Sequence, residues 1–155
     1  MKNRMFLISG LLAIAFLCGC HTAAQRARES TNDDLYKMLE PSHPQKDRIY
    51  AAWEIGRRLP PAGEDVLIGY IADPDPEVQV KVIHSLTVYY HSQKAAPLIE
   101  KQIFSPYERV ADKAISSMVH LRYVAAVPDL RKLADAPPSS HIAKTARNAL
   151  VDLGG

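Results

Sequence analysis

The chain has 155 residues, 47% of them hydrophobic and 23% charged, the balance of one small globular domain behind a targeting segment. Its formal charge of +2 comes from 19 basic and 17 acidic residues; Lys2 and Arg4 fall in the leader described next, and without them 17 stand against 17. A chain so balanced has no global field to gather it onto nucleic acid, so no nucleic-acid partner is expected.

Residues 1–20 read Met-Lys-Asn-Arg, then an apolar run from Met5 to Leu17, then Cys18-Gly19-Cys20. A positive start followed by an apolar run shorter than the ~20 residues a bilayer demands is the pattern of a secretory signal peptide. Leu17-Cys18-Gly19-Cys20 resembles the bacterial lipoprotein lipobox, with Cys18 where alanine or serine is commoner. The resemblance implies a signal peptide over 1–19, cleavage between Gly19 and Cys20, and Cys20 as the acylated first residue. Cys18 leaves with the leader, so disulfides and thiolate metal sites within the mature chain are excluded. Two or more acyl chains hold a protein durably to its membrane. His21, in place of the aspartate that signals inner-membrane retention in lipoproteins, favours the periplasmic face of the outer membrane in a bacterium with two membranes.

From Cys20 to residue 46 the chain is polar, with few large apolar residues, and reads as an acylated flexible tether. A short helix capped by Ser30 or Thr31, with Leu35, Met38 and Leu39 as its apolar face, interrupts it, or the segment is disordered throughout; composition leaves both open. Residues 47–155 form the folded domain. Pro44 to Leu59 predicts its first helix, with Ala52, Trp53 and Ile55 inward, and Pro60-Pro61 stops it. A second helix, Val66 to Ala72, packs Leu67, Ile68 and Ile71 on the first.

Beyond Asp73 the residue types recur every thirty-two positions. Val78, Val110 and Ile142 form one ladder, Val82, Ala114 and Ala146 a second, Leu86, Met118 and Leu150 a third. Steps of four within each unit make a buried helical stripe. Leu98 and Leu130 mark a further helix between copies, so each unit is a helix pair. The helix-forming stretches are one capped by Asp75, with proline in its first turn, that continues through Val80 to Tyr89, then Ala95 to Phe104, Tyr107 to Leu121, Val124 to Ala134 and His141 to Leu153, the last ending at Gly154-Gly155. The first copy is out of step by one, Ala51 and Ile55 lying 31 before Val82 and Leu86, as an atypical terminal repeat does when it caps a stack.

Asp73-Pro74-Asp75-Pro76-Glu77-Val78 and this periodicity resemble the HEAT-like repeats, especially the short class named after phycobilisome lyases. The resemblance covers about residues 47–155 and implies an all-α fold, a short α-solenoid of helix pairs. The family's valine–arginine pair is lost at Gln79, Ala111 and Ala143, so an arginine ladder to preceding acids is not expected.

The residues carry no signature of the enzymatic members of such folds. The six histidines are followed by Thr, Pro, Ser, Ser, Leu and Ile, so the His-Glu dipeptides of the iron-binding members do not occur. No phosphate loop, zinc signature or nucleophile elbow is found either. What remains are two polar rows at the same period: Lys81, Lys113 and Thr145, and His84, Ser116 and Asn148. They line one side of the stack, either as a plain solvated face or as a groove in which Lys81, His84, Lys113, Ser116 and His120 meet a protein or peptide. Tyr89 is assigned to the core, while Tyr90 and Tyr123 are open between core and interface. The expectation is a lipid-anchored, non-enzymatic scaffold or adaptor of the cell envelope, with no cofactor and an envelope protein or peptide as partner. A lyase-like or small-ligand role in the groove is the alternative, and it calls for a closed pocket with His84 or His120 beside an acid. A spacer between membrane and cell wall is a third.

Overall fold

The computed structural model describes residues 22–155. The leader, the lipobox and Cys20 lie outside the described residues. Those described form nine α-helices and two 3-10 turns, with no strand among them. Four longer helices, α3 (Gln45–Arg58), α5 (Pro76–Val88), α7 (Glu108–His120) and α9 (Ser140–Leu153), follow α1 (Ala23–Glu29) and α2 (Asn32–Met38). Shorter helices lie between them: α4 (Gly63–Ile68), α6 (Ala96–Glu100, continued by a 3-10 turn) and α8 (Val127–Asp135). The long helices pack in chain order, α3 on α5, α5 on α7 and α7 on α9; α4 touches α3 and α5, α6 packs on α7, and α8 on α9. Among the described residues no helix is long and apolar enough to cross a membrane.

Local chemistry starts these helices. At α5 the Asp75 carboxylate accepts the N–H groups of Glu77 at 2.9 Å and Val78 at 3.3 Å, and Pro76 takes a first-turn position that needs no donor. Ser139 caps α9 through the Ile142 N–H. The ladders then supply the core: Val78, Val82, Leu86, Val110, Ala114, Met118, Ile142 and Ala146 are fully buried. Each large aliphatic rung contributes about 2 kcal/mol of burial. Leu150, on the last described helix, is only partly covered. Where α3 meets α5 the backbones come close: a Cβ on Gly56 would lie 2.7 Å from Tyr89 Cδ2 and 2.8 Å from Ser85 Cβ.

The ends of the long helices repeat their geometry. Leu59, His91, Arg122 and Gly154 all have left-handed backbone, with φ of 51°, 48°, 50° and 73°. They stand 32, 31 and 32 residues apart. After three of them the next residue's N–H turns back to a ladder carbonyl: Ser92 to Leu86, Tyr123 to Met118 and Gly155 to Leu150, at 3.0, 2.9 and 2.8 Å. This closes the exposed carbonyls of the last turn. After Leu59 comes Pro60, which has no N–H to give.

Three expectations need correction. Residues 22–46 are not a polar tether: α1 and α2 both pack against α3, and Leu35 and Leu39 are fully buried in the common core. Thr31 and Asp34 form a reciprocal capping box at the start of α2. Composition understated this segment because its few apolar residues all fall on one side. Second, Leu98 is 38% exposed and its neighbour Ile99 takes the core position, since α6 is short and runs on as a 3-10 turn that rotates the face. Third, Trp53 and Tyr89 do not enter the core: both are half-buried and meet each other side chain to side chain, whereas Tyr90 and Tyr123, which the sequence left open, pack against the core.

Candidate functional site

The side of the row that carries the two polar ladders is indented between successive long helices. Over α3, between α1 and α5, lies a hollow of about 340 Å³ lined by Ala24, Arg28, Ile49, Tyr50, Trp53 and Lys81. Between α5 and α7 lies a smaller one, about 130 Å³, lined by His84, Thr87, Val88, Lys113, Ser116 and His120 over Ser117. A third, about 210 Å³ between α7 and α9, holds Ser116, Thr145, Asn148 and Asp152 beside Val119. Of the five residues singled out in the sequence, the structure brings His84, Lys113, Ser116 and His120 to one hollow. Lys81 sits one hollow away, toward the N-terminus.

Hydrogen bonding fixes the floor of the middle hollow. Thr87 donates to the Ser117 hydroxyl at 2.9 Å, Ser117 donates to the Lys113 carbonyl at 2.7 Å, and Ser116 donates to the same carbonyl at 2.9 Å. All three hydroxyl protons are therefore committed inward. The donors left to face a ligand are the Lys113 ammonium and the imidazoles. His120 stacks on His91, the left-handed residue closing α5, with centroids 5.4 Å apart and rings 7° from parallel. His84 meets the edge of Tyr89 at 5.9 Å, and the Tyr89 hydroxyl accepts the Trp53 indole N–H at 3.0 Å. Trp53 and Tyr89 thus form the ridge between the first two hollows, a role their helical spacing alone does not reveal.

The electrostatics are one-sided. Burial holds the His84 imidazole below the ordinary histidine value, and the positive charges of Lys113, Lys81 and His120 add to the effect. Lys81 is likewise held down, first by burial and then by Lys113. No carboxylate lines the middle hollow. Nearby acids are engaged elsewhere: Asp112 with His141 and Thr145, both at 3.0 Å, and Glu77 with Arg109. Among the described residues no group of three or more His, Cys, Asp or Glu is placed to hold a metal ion. The acid beside His84 or His120 that a lyase-like site calls for is not among the lining residues.

A second polar assembly, which the sequence reading missed, joins α1 and α2 to α3. Arg48 and Asp73 form a buried ion pair, and Arg48 Nε donates to the Leu39 carbonyl at 2.9 Å. Arg48 lies 31 before Gln79, at the corresponding position of the out-of-step first copy, and reaches the acidic turn that follows it. Glu54, wholly buried, accepts from Arg57 and from Arg58 Nε at 3.0 Å, and these donors hold its carboxyl below the ordinary range. Arg58 then gives its remaining N–H groups to the Ala27, Arg28 and Ser30 carbonyls at 3.0, 2.7 and 2.6 Å, closing the end of α1. Arg26 meets Asp47 at 2.6 Å.

No family model matches the sequence, and no curated protein matches it either.

Proposed function

We propose that this chain is a bacterial lipoprotein, anchored through acylated Cys20, whose helical row is a short HEAT-like solenoid acting as a non-enzymatic protein-binding scaffold in the envelope. The observation that carries this reading is the indented face: three hollows at successive helix–helix junctions, lined by residues of the 32-residue ladders. Stacked helix pairs make such an extended surface as a by-product of their packing. Bonds between nearly corresponding positions of neighbouring helices support the solenoid. Ser85 donates to the Ala52 carbonyl, Thr87 to Ser117 and Thr145 to Asp112, across 33, 30 and 33 residues. The lipobox-like Leu17-Cys18-Gly19-Cys20 supports the anchor.

Two experiments test it. Cys20→Ser is expected to move the protein from the membrane fraction to the soluble one, and retention would refute acylation as the attachment. A photo-crosslinking residue at position 116, on the shared rim of two hollows, is expected to trap one discrete envelope protein in living cells. The same residue at exposed Pro128, on α8, is the control. Equal labelling from both positions would remove the assignment of this face.

A further inference from the structure

Deepening the scaffold reading, on which it rests, we propose that the face binds an extended acidic segment of its partner, one carboxylate seated among Lys113, His84 and His120 and an apolar side chain three residues away against Trp53.

The middle hollow holds the Lys113 ammonium and the His84 and His120 imidazoles, feels the Lys81 ammonium from the next hollow, and has no carboxylate and no hydroxyl proton to spare. With 17 basic and 17 acidic residues beyond the leader, general basicity does not explain this local excess. Like charges brought together with no counter-ion repel one another, and a ligand carboxylate converts that repulsion into attraction. The hollow's size, about 130 Å³, suits a side-chain carboxylate rather than a large ligand. Its neighbour toward the N-terminus is larger, about 340 Å³, and is walled by Ile49, Tyr50 and Trp53. Adjacent packed helices lie about 8–10 Å apart, so successive hollows recur at that interval. An extended chain of the polyproline type advances about 3.1 Å per residue and returns its side chains to one side every third residue, about 9 Å on. Such a segment laid across the helices therefore offers an apolar residue to the first hollow and an acidic residue to the second.

Proton linkage follows from the surroundings of His84. Lys81 on its own helix, Lys113 and His120 on α7 and the Tyr89 edge face it, His91 acts through its stack on His120, and α3 brings Trp53 to Tyr89. In the free protein these cations and burial disfavour imidazolium; a bound carboxylate favours it. Binding thus takes up a proton and tightens as pH falls through the histidine range.

The test uses the full acylated protein in detergent micelles. Trp53 is the single tryptophan, so its emission reports on the first hollow. The probe is a short blocked Leu-Pro-Pro-Glu peptide, compared with Leu-Pro-Pro-Gln and with inorganic phosphate. The Glu peptide is expected to shift Trp53 emission saturably, the Gln peptide to bind about tenfold more weakly, and affinity to rise several-fold from pH 8 to pH 6. Lys113→Gln is expected to erase the preference for Glu over Gln, His84→Gln to reduce the pH dependence and His84→Gln with His120→Gln to erase it, and Lys113→Glu to favour a Leu-Pro-Pro-Lys peptide, with thermal midpoints checked in each case. Equal binding of the Glu and Gln peptides, an unaffected Lys113→Gln protein, or displacement by phosphate at the peptide's own concentration would overturn the proposal. If crosslinking at position 116 still traps a discrete partner, the scaffold reading survives that failure; if the peptide binds and crosslinking traps nothing, the reverse holds.

Discussion

The junction of α1 and α2 with α3 and the row formed by α5, α7 and α9 solve the same packing problem with different chemistry. In the row, each helix meets a neighbour built to the same pattern, and buried Val, Ala, Leu, Met and Ile rungs suffice, with hydroxyl-to-carbonyl bonds such as Ser85 to Ala52. At the junction no equivalent repeat precedes α3, and its outer side is closed by Arg26, Arg48 and Arg58 engaging carboxylates and the carbonyl ends of α1 and α2. Apolar contact tolerates small adjustments of one helix against another. Ion pairs out of water demand complete satisfaction, so the junction is the part most exposed to single substitutions.

That contrast sets the expected responses. Arg48→Ala leaves the Asp73 carboxylate buried without a counter-charge, with only the Asp75 N–H at 2.9 Å as partner, and is expected to cost about 4 kcal/mol in chemical denaturation. Replacing both Arg48 and Asp73 by apolar residues of similar size should restore most of that loss, and a double variant as weak as the single one would count against the pairing as the cause. In the row, Met118→Ala deletes a rung and is expected to cost about 3 kcal/mol. Hydrogen exchange should then rise through α7 and its neighbours, whereas Arg48→Ala raises it first in α1 and α2.

Glu54→Gln should weaken the hold on α1 by about 1 kcal/mol near neutral pH. Because the Glu54 carboxyl is held below its ordinary value, its contribution is full above the unfolded-state value and is lost as pH falls through the depressed one. Acid should therefore loosen α1 in the parent protein, and the glutamine variant should lack that step in an amide-exchange pH series. The smallest effect is a gain. Arg122 adopts left-handed backbone without being glycine, so Arg122→Gly is expected to raise stability by something under about 1 kcal/mol, read as a higher denaturation midpoint.

The row was legible because identical neighbours impose identical residue types: Val78, Val110 and Ile142 can be counted along the chain, and all three are buried. Ladder counting also put His84, Lys113 and Ser116 on one face. It could not separate Lys81 into the next hollow, because the register sets the face and not the boundary between hollows. Arg48 escaped notice because the first copy runs 31 residues from the second, and a strict 32-residue comparison steps past it. Leu35 and Leu39 were legible as the apolar face of a short helix but not as core, since two leucines among polar residues do not say what they dock against. Tyr89 was assigned inward from spacing alone, and its bonds to Trp53 and His84 turn it to the groove.

The position of α1 bears on how far the protein reaches. Its first residue is Ala23, with Thr22 as cap, so a lipid on Cys20 would be joined to folded structure through His21 and Thr22 alone, a leash of about 10 Å at full stretch. Under the proposed anchor, a protein moored that closely would ride among the headgroups, its partner would have to come down to the bilayer, and a role in holding the cell wall at a distance would need a longer line.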